Sequence, residues 1–199
     1  MAPELEIREL RTDELAAAGG VAGRALADNP TFRWAAGDNP ISRIGGALDL
    51  FVGFMEGMST PQLGARLSRH VVGVCGAAPP GACVGSLVPD ELRALPAEVG
   101  PPGDESRAGF LWSLFATHDL DERHWHVGPV SVEPGLQGQG VGGALLRPFC
   151  ARMDDEGEIA WLETDKPENV VFYRRHGFDV AEEVETHGLV TWFMRRAPR

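Results

Sequence analysis

The stretch "VEPGLQGQGVGGALL", residues 132–146, places four glycines within six positions, at Gly138, Gly140, Gly142 and Gly143. Apolar residues follow it at the spacing of one helix face: Leu145, Leu146, Phe149 and Met153. Glycine weakens a helix start by roughly 0.5–1 kcal/mol relative to alanine, so the crowding indicates that another group approaches the backbone closely. Because anions bind at helix N-termini, the stretch predicts an anion-binding loop that leads into a helix.

The segments around this loop predict a strand–helix–strand unit. "HWHVGPVSV" (124–132) and "IAWLETD" (159–165) read as strands, and the helix between them runs to about Asp155. Such a crossover is right-handed, so we expect the two strands to be parallel neighbours. A short helix from Pro167 to Gly177 follows, and "FDVAEEVE" (178–185) and "LVTWFMRR" (189–196) predict a closing strand pair.

The first half of the chain gives a looser prediction. "ELEIREL" (4–10) alternates like a strand, a helix follows Thr12 and Asp13, and "NPTFRWAAGDNP" (29–40) reads as a loop before a helix over 41–58. "RHVVGVCG" and "GACVGSLV" on either side of "AAPP" predict a hairpin, and a helix-containing insertion follows around 89–123. We therefore expect one α/β (α+β) domain over residues 1–199.

Composition limits the classes of function. The 199 residues are 43% hydrophobic and 24% charged, which is ordinary for a soluble protein. "MAPELEIREL" has no apolar run typical of a secretory signal, and no stretch reaches the roughly 20 apolar residues that span a bilayer, so we expect a cytoplasmic protein without a membrane partner. A formal charge of −11 argues against nucleic-acid binding; it is compatible with a cationic small substrate and equally with a role in solubility alone.

The cysteines predict neither disulfides nor a metal. Cys75, Cys83 and Cys150 are odd in number and lack C-x-x-C spacing. This pattern fits reduced thiols better than disulfides or a zinc site, so we expect no metal cofactor.

A dinucleotide-binding fingerprint is one interpretation of the glycines. Gly138, Gly140 and Gly143 fit G-x-G-x-x-G, and Glu163 lies about 20 residues further on, where that motif has its ribose-binding acid. A dinucleotide fold, however, needs further β-α-β units after the fingerprint. Only one short helix and two strands are predicted after Glu163, so topology disfavours this interpretation.

A second interpretation uses more residues. "Val130-x-Val132-x-Pro134-x-x-Gln137-x-x-Gly140-x-Gly142" resembles the acetyl-CoA loop of the GNAT N-acetyltransferase superfamily. "Asn169-x-x-Phe172-Tyr173-x-x-x-Gly177-Phe178" resembles the second half of that family's pattern, at the expected distance. The resemblance extends from about Trp125 to Arg195 and is loose across the first half.

Within the superfamily, the chain is most similar to the puromycin N-acetyltransferase branch. The similar pieces are the strand opening at Trp125, Pro148 inside the helix after the loop, "LET" at 162–164 and "TW-x-M" at 191–194. A proline inside a helix costs ~3 kcal/mol, so its position is informative. The N-terminal half and the 89–123 insertion, which would form the acceptor pocket, depart from that branch.

The resemblance implies a fold and a cofactor site. The fold is a mixed, mostly antiparallel sheet with helices on both faces and a splayed parallel strand pair where acetyl-CoA binds. The pyrophosphate would meet the N–H groups of the loop, whose residues are Gln137, Gly138, Gln139, Gly140, Val141, Gly142 and Gly143. Val130 and Val132 would pair with the pantetheine arm through their main chain. Asn169 would contact that arm or, alternatively, satisfy donors at its helix start.

The resemblance also implies catalytic roles. Tyr173, the only tyrosine, stands where the family has the acid that protonates the leaving thiolate, and Glu163 is our candidate general base. His124 and His126 could relay a proton, although each fits a structural role as well. Arg174 and Arg175 could pair with the 3′-phosphate of the cofactor. Some aromatic residues could line an acceptor pocket, although ordinary core packing accounts better for most of them: Phe32, Trp34, Phe110, Trp112 and Phe115.

We therefore expect an acetyl-CoA-dependent N-acetyltransferase that modifies the primary amine of a small molecule, as a monomer or homodimer. The alternative is a non-catalytic acyl-CoA-binding or regulatory module with the same fold.

Overall fold

The computed structural model describes residues 4–58, 60, 62–83, 95–96 and 98–199. Within these residues, seven strands form one sheet in the order β1-β2-β3-β4-β5-β7-β6. Their bounds are β1 Leu5–Glu9, β2 Leu63–Leu67, β3 His70–Ala78, β4 His124–Val132, β5 Ile159–Thr164, β6 Asp179–Thr186 and β7 Leu189–Arg196.

Six α-helices surround the sheet in the described part of the chain. They are α1 Leu15–Leu26, α2 Pro30–Ala36, α3 Pro40–Gly57, α4 Glu105–Thr117, α5 Val141–Glu156 and α6 Pro167–Arg174. Single 3-10 turns precede α1 and α5, at Thr12–Glu14 and Pro134–Leu136. None of these helices has the length and apolar character needed to cross a membrane.

The pairing of β4 with β5 is the feature that defines the architecture. These two strands are parallel, whereas every other neighbouring pair in the described sheet is antiparallel. Their ladder has three residue pairs and ends at His126 and Trp161, although both strands continue. This confirms the predicted mixed α/β sheet with one splayed parallel pair, and the sheet is not the doubly wound one that a dinucleotide-binding fold requires.

A bulge in β4 lies directly after the last pair with β5. Cys75 of β3 pairs with Val130, but Ala77, two residues on, pairs with Val127, so β4 has one extra residue. The Ala77 N–H donates instead to Gln62 Oε1 at 2.8 Å. Because a bulge bends its strand and increases local twist, this one accounts for the divergence of β4 from β5.

Three apolar clusters hold the helices on the two faces of the sheet. The largest joins α5 and α6 to the sheet through Leu145, Leu146, Phe149 and Met153, the helix face that the sequence predicts. The second packs α1 and α3 against β3, and the third joins α4 to β5 and β7. Pro148 lies inside α5, as the sequence predicts, and is exposed to solvent.

Two local predictions were wrong. Residues 29–40 are not a loop throughout, because Pro30 begins α2 at a position where the missing N–H of proline costs nothing. The hairpin partner of β3 is β2, not a strand over 81–88: residues 81–83 are not in a strand, and 84–88 lie outside the described residues. The short strand β2 was missed because Gly64 and Ala65 lack the β-branched character of a typical strand.

Candidate active site

The divergence of β4 and β5 is bridged by two side chains. The Nε2 atom of His126, on β4, lies 2.7 Å from Oε2 of Glu163, on β5. His126 is buried, and the Glu163 side chain is 25% exposed. The predicted base and one of its two predicted relay partners are therefore in direct contact.

Residues at the end of β5 form hydrogen bonds with the start of α6 and the start of α2, beside this pair. Asn169, in the first turn of α6, donates from Nδ2 to Thr164 Oγ1 at 3.0 Å. Asp165 is buried and accepts from Asn29 Nδ2 at 3.1 Å and from the Thr31 N–H and hydroxyl at 2.9 and 2.7 Å. Asp165 was not predicted as a site residue, because its partners lie more than 130 positions away in the chain.

Tyr173 lies one turn after Asn169 on α6. Its side chain is buried between Phe172 and Phe178, with ring centroids at 5.1 and 5.7 Å. Among the residues that the structure describes, its hydroxyl has no hydrogen-bond partner. Burial, and then neighbouring groups that include Glu163, raises the pKa of Tyr173 well above its usual value. The phenol is therefore protonated at neutral pH and can donate a proton.

The glycine loop is open where the sequence predicts an anion. Gly138 and Gly140 adopt φ of +74° and +83°, and a Cβ atom at either position would have no atom within 4 Å. Within the described chain, the N–H groups of residues 138 to 143 donate no hydrogen bond to the protein, whereas the Ala144 N–H donates to the Gly140 carbonyl. The loop and the first turn of α5 therefore present free donors to a ligand.

Gly142 and Gly143 lie where α5 approaches α6 and the residues after it. A Cβ at Gly142 would lie 3.4 Å from the Phe172 ring, and one at Gly143 would lie 3.5 Å from His176, which are ordinary van der Waals distances. Neither packing nor a positive φ therefore requires glycine at these two positions. Of the four glycines, only Gly138 and Gly140 adopt the left-handed backbone that favours glycine.

The remaining predicted cofactor residues surround the loop. Gln137 and Gln139 are exposed, and Val141 is buried at the start of α5. Gln137 donates from Nε2 to the Val132 carbonyl at 3.1 Å, so part of its amide stabilises the loop itself. Val130 and Val132 pair with β3 on one side only, because the ladder with β5 has ended. That free edge could accept an extended ligand as an added strand.

A buried polar cluster adjoins the His126–Glu163 pair. His124 Nε2 and His126 Nδ1 lie 3.0 and 3.5 Å from Asp119 Oδ1, and the thiol of Cys83 lies 2.9 Å from Asp119 Oδ2. Burial alone would lower the pKa of His124, but Asp119, Cys83 and the Glu122 carbonyl outweigh it and raise that pKa to about 9. This cluster was not predicted from the sequence, although the H-x-H spacing on β4 was a signal for it.

The predicted aromatic pocket is divided into separate groups. Trp34 and Phe110 pack together with ring centroids 5.6 Å apart, beside His187 at the β6–β7 turn. Phe32 packs against Phe51 instead, and Trp112 and Phe115 contact each other. The five aromatic residues therefore do not line one cavity, because successive residues on α2 and α4 point to different faces. Arg174 and Arg175 are exposed and form no ion pair within the described residues.

Comparison with known proteins identifies the family. The model of the acetyltransferase (GNAT) family matches residues 63–178, which is more than half of the chain. The chain belongs to the GNAT acetyltransferase family. Mycothiol acetyltransferase of Mycolicibacterium gilvum is 35% identical over 80 residues, which cover 36% of this chain and only 25% of that protein.

Solved structures share the whole fold at low identity. A protein from Corynebacterium glutamicum described as histone acetyltransferase HPA2 and related acetyltransferase has a TM-score of 0.68 and 21% identity, covering 100% of this chain and 98% of that one. Polyamine N-acetyltransferase of Drosophila melanogaster has a TM-score of 0.66 and 13% identity, with 98% and 100% covered. A GNAT acetyltransferase from Brucella melitensis in complex with acetyl-CoA has a TM-score of 0.51 and 24% identity, with 98% and 88% covered.

Proposed function

We propose that this protein is an acetyl-CoA-dependent N-acetyltransferase that acts on the primary amine of a small molecule. The observation that carries the proposal is a carboxylate–imidazole pair where β4 and β5 diverge, with a buried phenol, that of Tyr173, near enough for the charge of Glu163 to raise its pKa. Acetyl transfer to an amine needs a group that removes a proton from the amine and one that protonates the departing thiolate. Glu163 and Tyr173 are suited to these two tasks.

Acetyl-CoA fits the site through the backbone of the loop. The N–H groups of residues 138 to 143 supply donors for the pyrophosphate oxygens, and the positive end of α5 adds favourable charge. The free edge of β4 at Val130 and Val132 suits the pantetheine arm, which would extend along it toward Glu163. Asn169 lies at the same end of β5, although its amide already bonds Thr164. Arg174 and Arg175 remain available to the 3′-phosphate.

In this proposal the chain's own residues move two protons. Glu163 takes a proton from the attacking amine, and the His126 imidazole holds the carboxylate in place through the 2.7 Å hydrogen bond. Backbone N–H groups of β4 beyond its ladder with β5 are suited to stabilise the negative oxygen of the acyl group. Tyr173 gives its hydroxyl proton to the sulfur as the C–S bond breaks.

Charge favours a cationic acceptor. The protein carries a formal charge of −11, and two carboxylates, Glu163 and Asp165, flank the end of β5. The Drosophila structural neighbour is itself a polyamine N-acetyltransferase. The likeness to the puromycin N-acetyltransferase branch at Trp125, Pro148 and 191–194 adds an aminonucleoside as a second acceptor class to test.

A two-stage experiment tests the proposal. Acetyl-CoA should raise the melting temperature and NAD should not, because a ligand at 100 times its Kd adds ~2.7 kcal/mol. Thiol release is then measured with polyamines, aminonucleosides, aminoglycosides and peptide N-termini. Turnover with a small amine supports the proposal. Stabilisation by acetyl-CoA without turnover of any amine would instead indicate a non-catalytic acyl-CoA-binding module.

A further inference from the structure

Four potential metal ligands converge beneath the His126–Glu163 pair. The Cys83 thiol, an Asp119 carboxylate oxygen and one ring nitrogen each of His124 and His126 all lie within 4.8 Å of one another. They come from three parts of the chain: the segment after β3, the loop after α4, and β4. Residues two apart on a strand point to the same face, so the H-x-H spacing delivers both imidazoles to one point.

The hydrogen bonds of both histidines fix which nitrogen faces the cluster. His124 Nδ1 lies 2.7 Å from the Glu122 carbonyl, which can only accept, so this nitrogen carries a proton. His126 Nε2 lies 2.7 Å from the Glu163 carboxylate and donates to it in the same way. His124 Nε2 and His126 Nδ1 therefore point into the cluster, and each can bind a metal ion that displaces its proton. Protein metal sites commonly orient their histidine ligands by such outer hydrogen bonds.

The two inward nitrogens face a single buried carboxylate. Both atoms are buried and form no hydrogen bond within the described part of the chain. Their close neighbour is Asp119 Oδ1, at 3.0 and 3.5 Å, and the Asp119 side chain is only 2% exposed. A carboxylate buried against two imidazoles needs compensating positive charge, which comes either from protons on the two rings or from a metal cation bound between the same atoms.

We infer that Cys83, Asp119, His124 and His126 form a binding site for a divalent metal ion, and that this ion is Zn²⁺. One thiolate, one carboxylate and two neutral imidazoles are a set of four ligands typical of tetrahedral zinc. The thiolate and carboxylate together neutralise the charge of the ion. Four protein ligands leave no position for a substrate, so the site is structural: it ties the segment after β3 and the loop after α4 to β4.

The metal would also act on the candidate active site through His126. A carboxylate–histidine–metal arrangement sets the orientation of the imidazole, and here the carboxylate is Glu163. His126 thereby becomes a positioning residue that fixes Glu163 at the divergence of β4 and β5. The site is independent of the acceptor amine, so its test does not depend on the proposed function.

The direct test is the metal content and spectrum of the intact protein. Protein expressed in zinc-supplemented medium should contain about one zinc per chain by mass spectrometry of the metal. After removal of zinc with a chelator, added Co²⁺ should give the visible absorption of tetrahedral cobalt and a thiolate-to-cobalt charge-transfer band. Cys83→Ser should lose that band, whereas Cys150→Ser, whose thiol contacts the His176 carbonyl in another part of the core, should keep it.

Glu163→Gln gives a second readout that leaves all four ligands in place. Because it weakens the outer hydrogen bond to His126, we expect zinc affinity to fall about 10–100-fold in competition with a chromophoric chelator. If Cys83→Ser does not fold, the wild-type cobalt spectrum and the fall in zinc affinity of Glu163→Gln are sufficient to test the inference. The inference is overturned if the wild-type protein contains no zinc and binds no Co²⁺, or if the charge-transfer band persists in a folded Cys83→Ser variant. Imidazole nitrogen NMR would then show both histidines doubly protonated.

Discussion

His126 Nε2 lies 2.7 Å from Glu163 Oε2, and this hydrogen bond joins β4 to β5 just beyond the last residue pair of their ladder. The bond spans strands that have begun to separate, so it holds a partly exposed carboxylate at the opening between them. An immobile carboxylate suits proton abstraction, because it does not have to be ordered during the reaction. The position of Glu163 therefore depends on β4 as well as on its own strand.

Glu163→Gln should lower turnover at neutral pH by about 10²-fold or more, because the amide cannot accept the proton of the amine. Affinity for acetyl-CoA should change less, since the loop donors remain. Initial rates of thiol release and isothermal titration with acetyl-CoA measure the two effects. Glu168→Gln, an exposed change in the first turn of α6, is the matched control. A rate within about twofold of wild type would contradict Glu163 as the base.

Gly140→Val should weaken acetyl-CoA binding far more than it lowers the free energy of unfolding. Its φ of +83° is unfavourable for a branched residue, and the side chain would occupy the open space beside the free N–H groups. Gly135→Val, in the preceding 3-10 turn and also without neighbours within 4 Å of a Cβ, is the control. Titration of acetyl-CoA into both variants is decisive. Equal affinities would show that the loop is only a turn.

The sequence predicts the glycine loop, its flanking strands and α5 well because that information is local. A pattern of period two or 3.6 requires only neighbouring residues, and the bounds of β4 are those predicted. Helix α2 was not predicted because Asn-Pro pairs, here Asn29-Pro30 and Asn39-Pro40, are typical of loops. In this protein each proline begins a helix.

The parts of the site that the sequence could not predict depend on contacts between distant residues. Cys83 and Asp119 are 36 positions apart, and His126 and Glu163 are 37 apart. Their meeting depends on the crossover through α5 and on the path of α4, which no spacing rule describes. Single cysteines and histidines without C-x-x-C spacing therefore gave no prediction of a shared site.

Stability at acid pH should depend on Glu14. Hydrogen bonds from Arg8, at 2.8 Å to each carboxylate oxygen, lower the pKa of Glu14 from 4.5 to about 2. Because the folded pKa lies below the unfolded one, the stabilisation is complete above pH 4.5 and is lost as the pH falls toward 2. Glu14→Gln should therefore cost about 1–2 kcal/mol at pH 7 and much less at pH 2, as measured by urea unfolding at both values. An equal cost at both pH values would contradict this.

The contact between α1 and α3 depends on glycine. A Cβ at Gly19 would lie 2.5 Å from the Val52 Cα atom, which is backbone and cannot turn aside. Gly19→Ala should therefore lower the free energy of unfolding by about 1–3 kcal/mol. Gly53→Ala, on α3 with no atom within 4 Å of its Cβ, should instead raise it by roughly 0.5–1 kcal/mol. Thermal unfolding of the two variants checks the opposite signs. A stabilised Gly19→Ala variant would show that the helices can separate without cost.

Tyr173→Phe tests the chemistry most directly. The ring packs against Phe172 and Phe178, while the hydroxyl has no hydrogen-bond partner among the described residues. Removing the oxygen alone therefore leaves the packing intact, and the free energy of unfolding should change little. The phenol is protonated at neutral pH, as tyrosine ordinarily is, and burial raises its pKa further, so it holds a proton for the departing thiolate.

We expect the Tyr173→Phe variant to turn over about 10²–10⁴-fold more slowly, the range that a positioned general acid contributes. Acetyl-CoA affinity should stay near wild type, since the loop at 138–143 lies on other elements. The measurement is thiol release with a verified acceptor, at saturating acetyl-CoA, beside a binding titration of the same protein. Normal affinity with slow turnover places the hydroxyl in the chemical step. Turnover at the wild-type rate would mean that Tyr173 serves only the core and that the thiolate takes its proton from another group or from water.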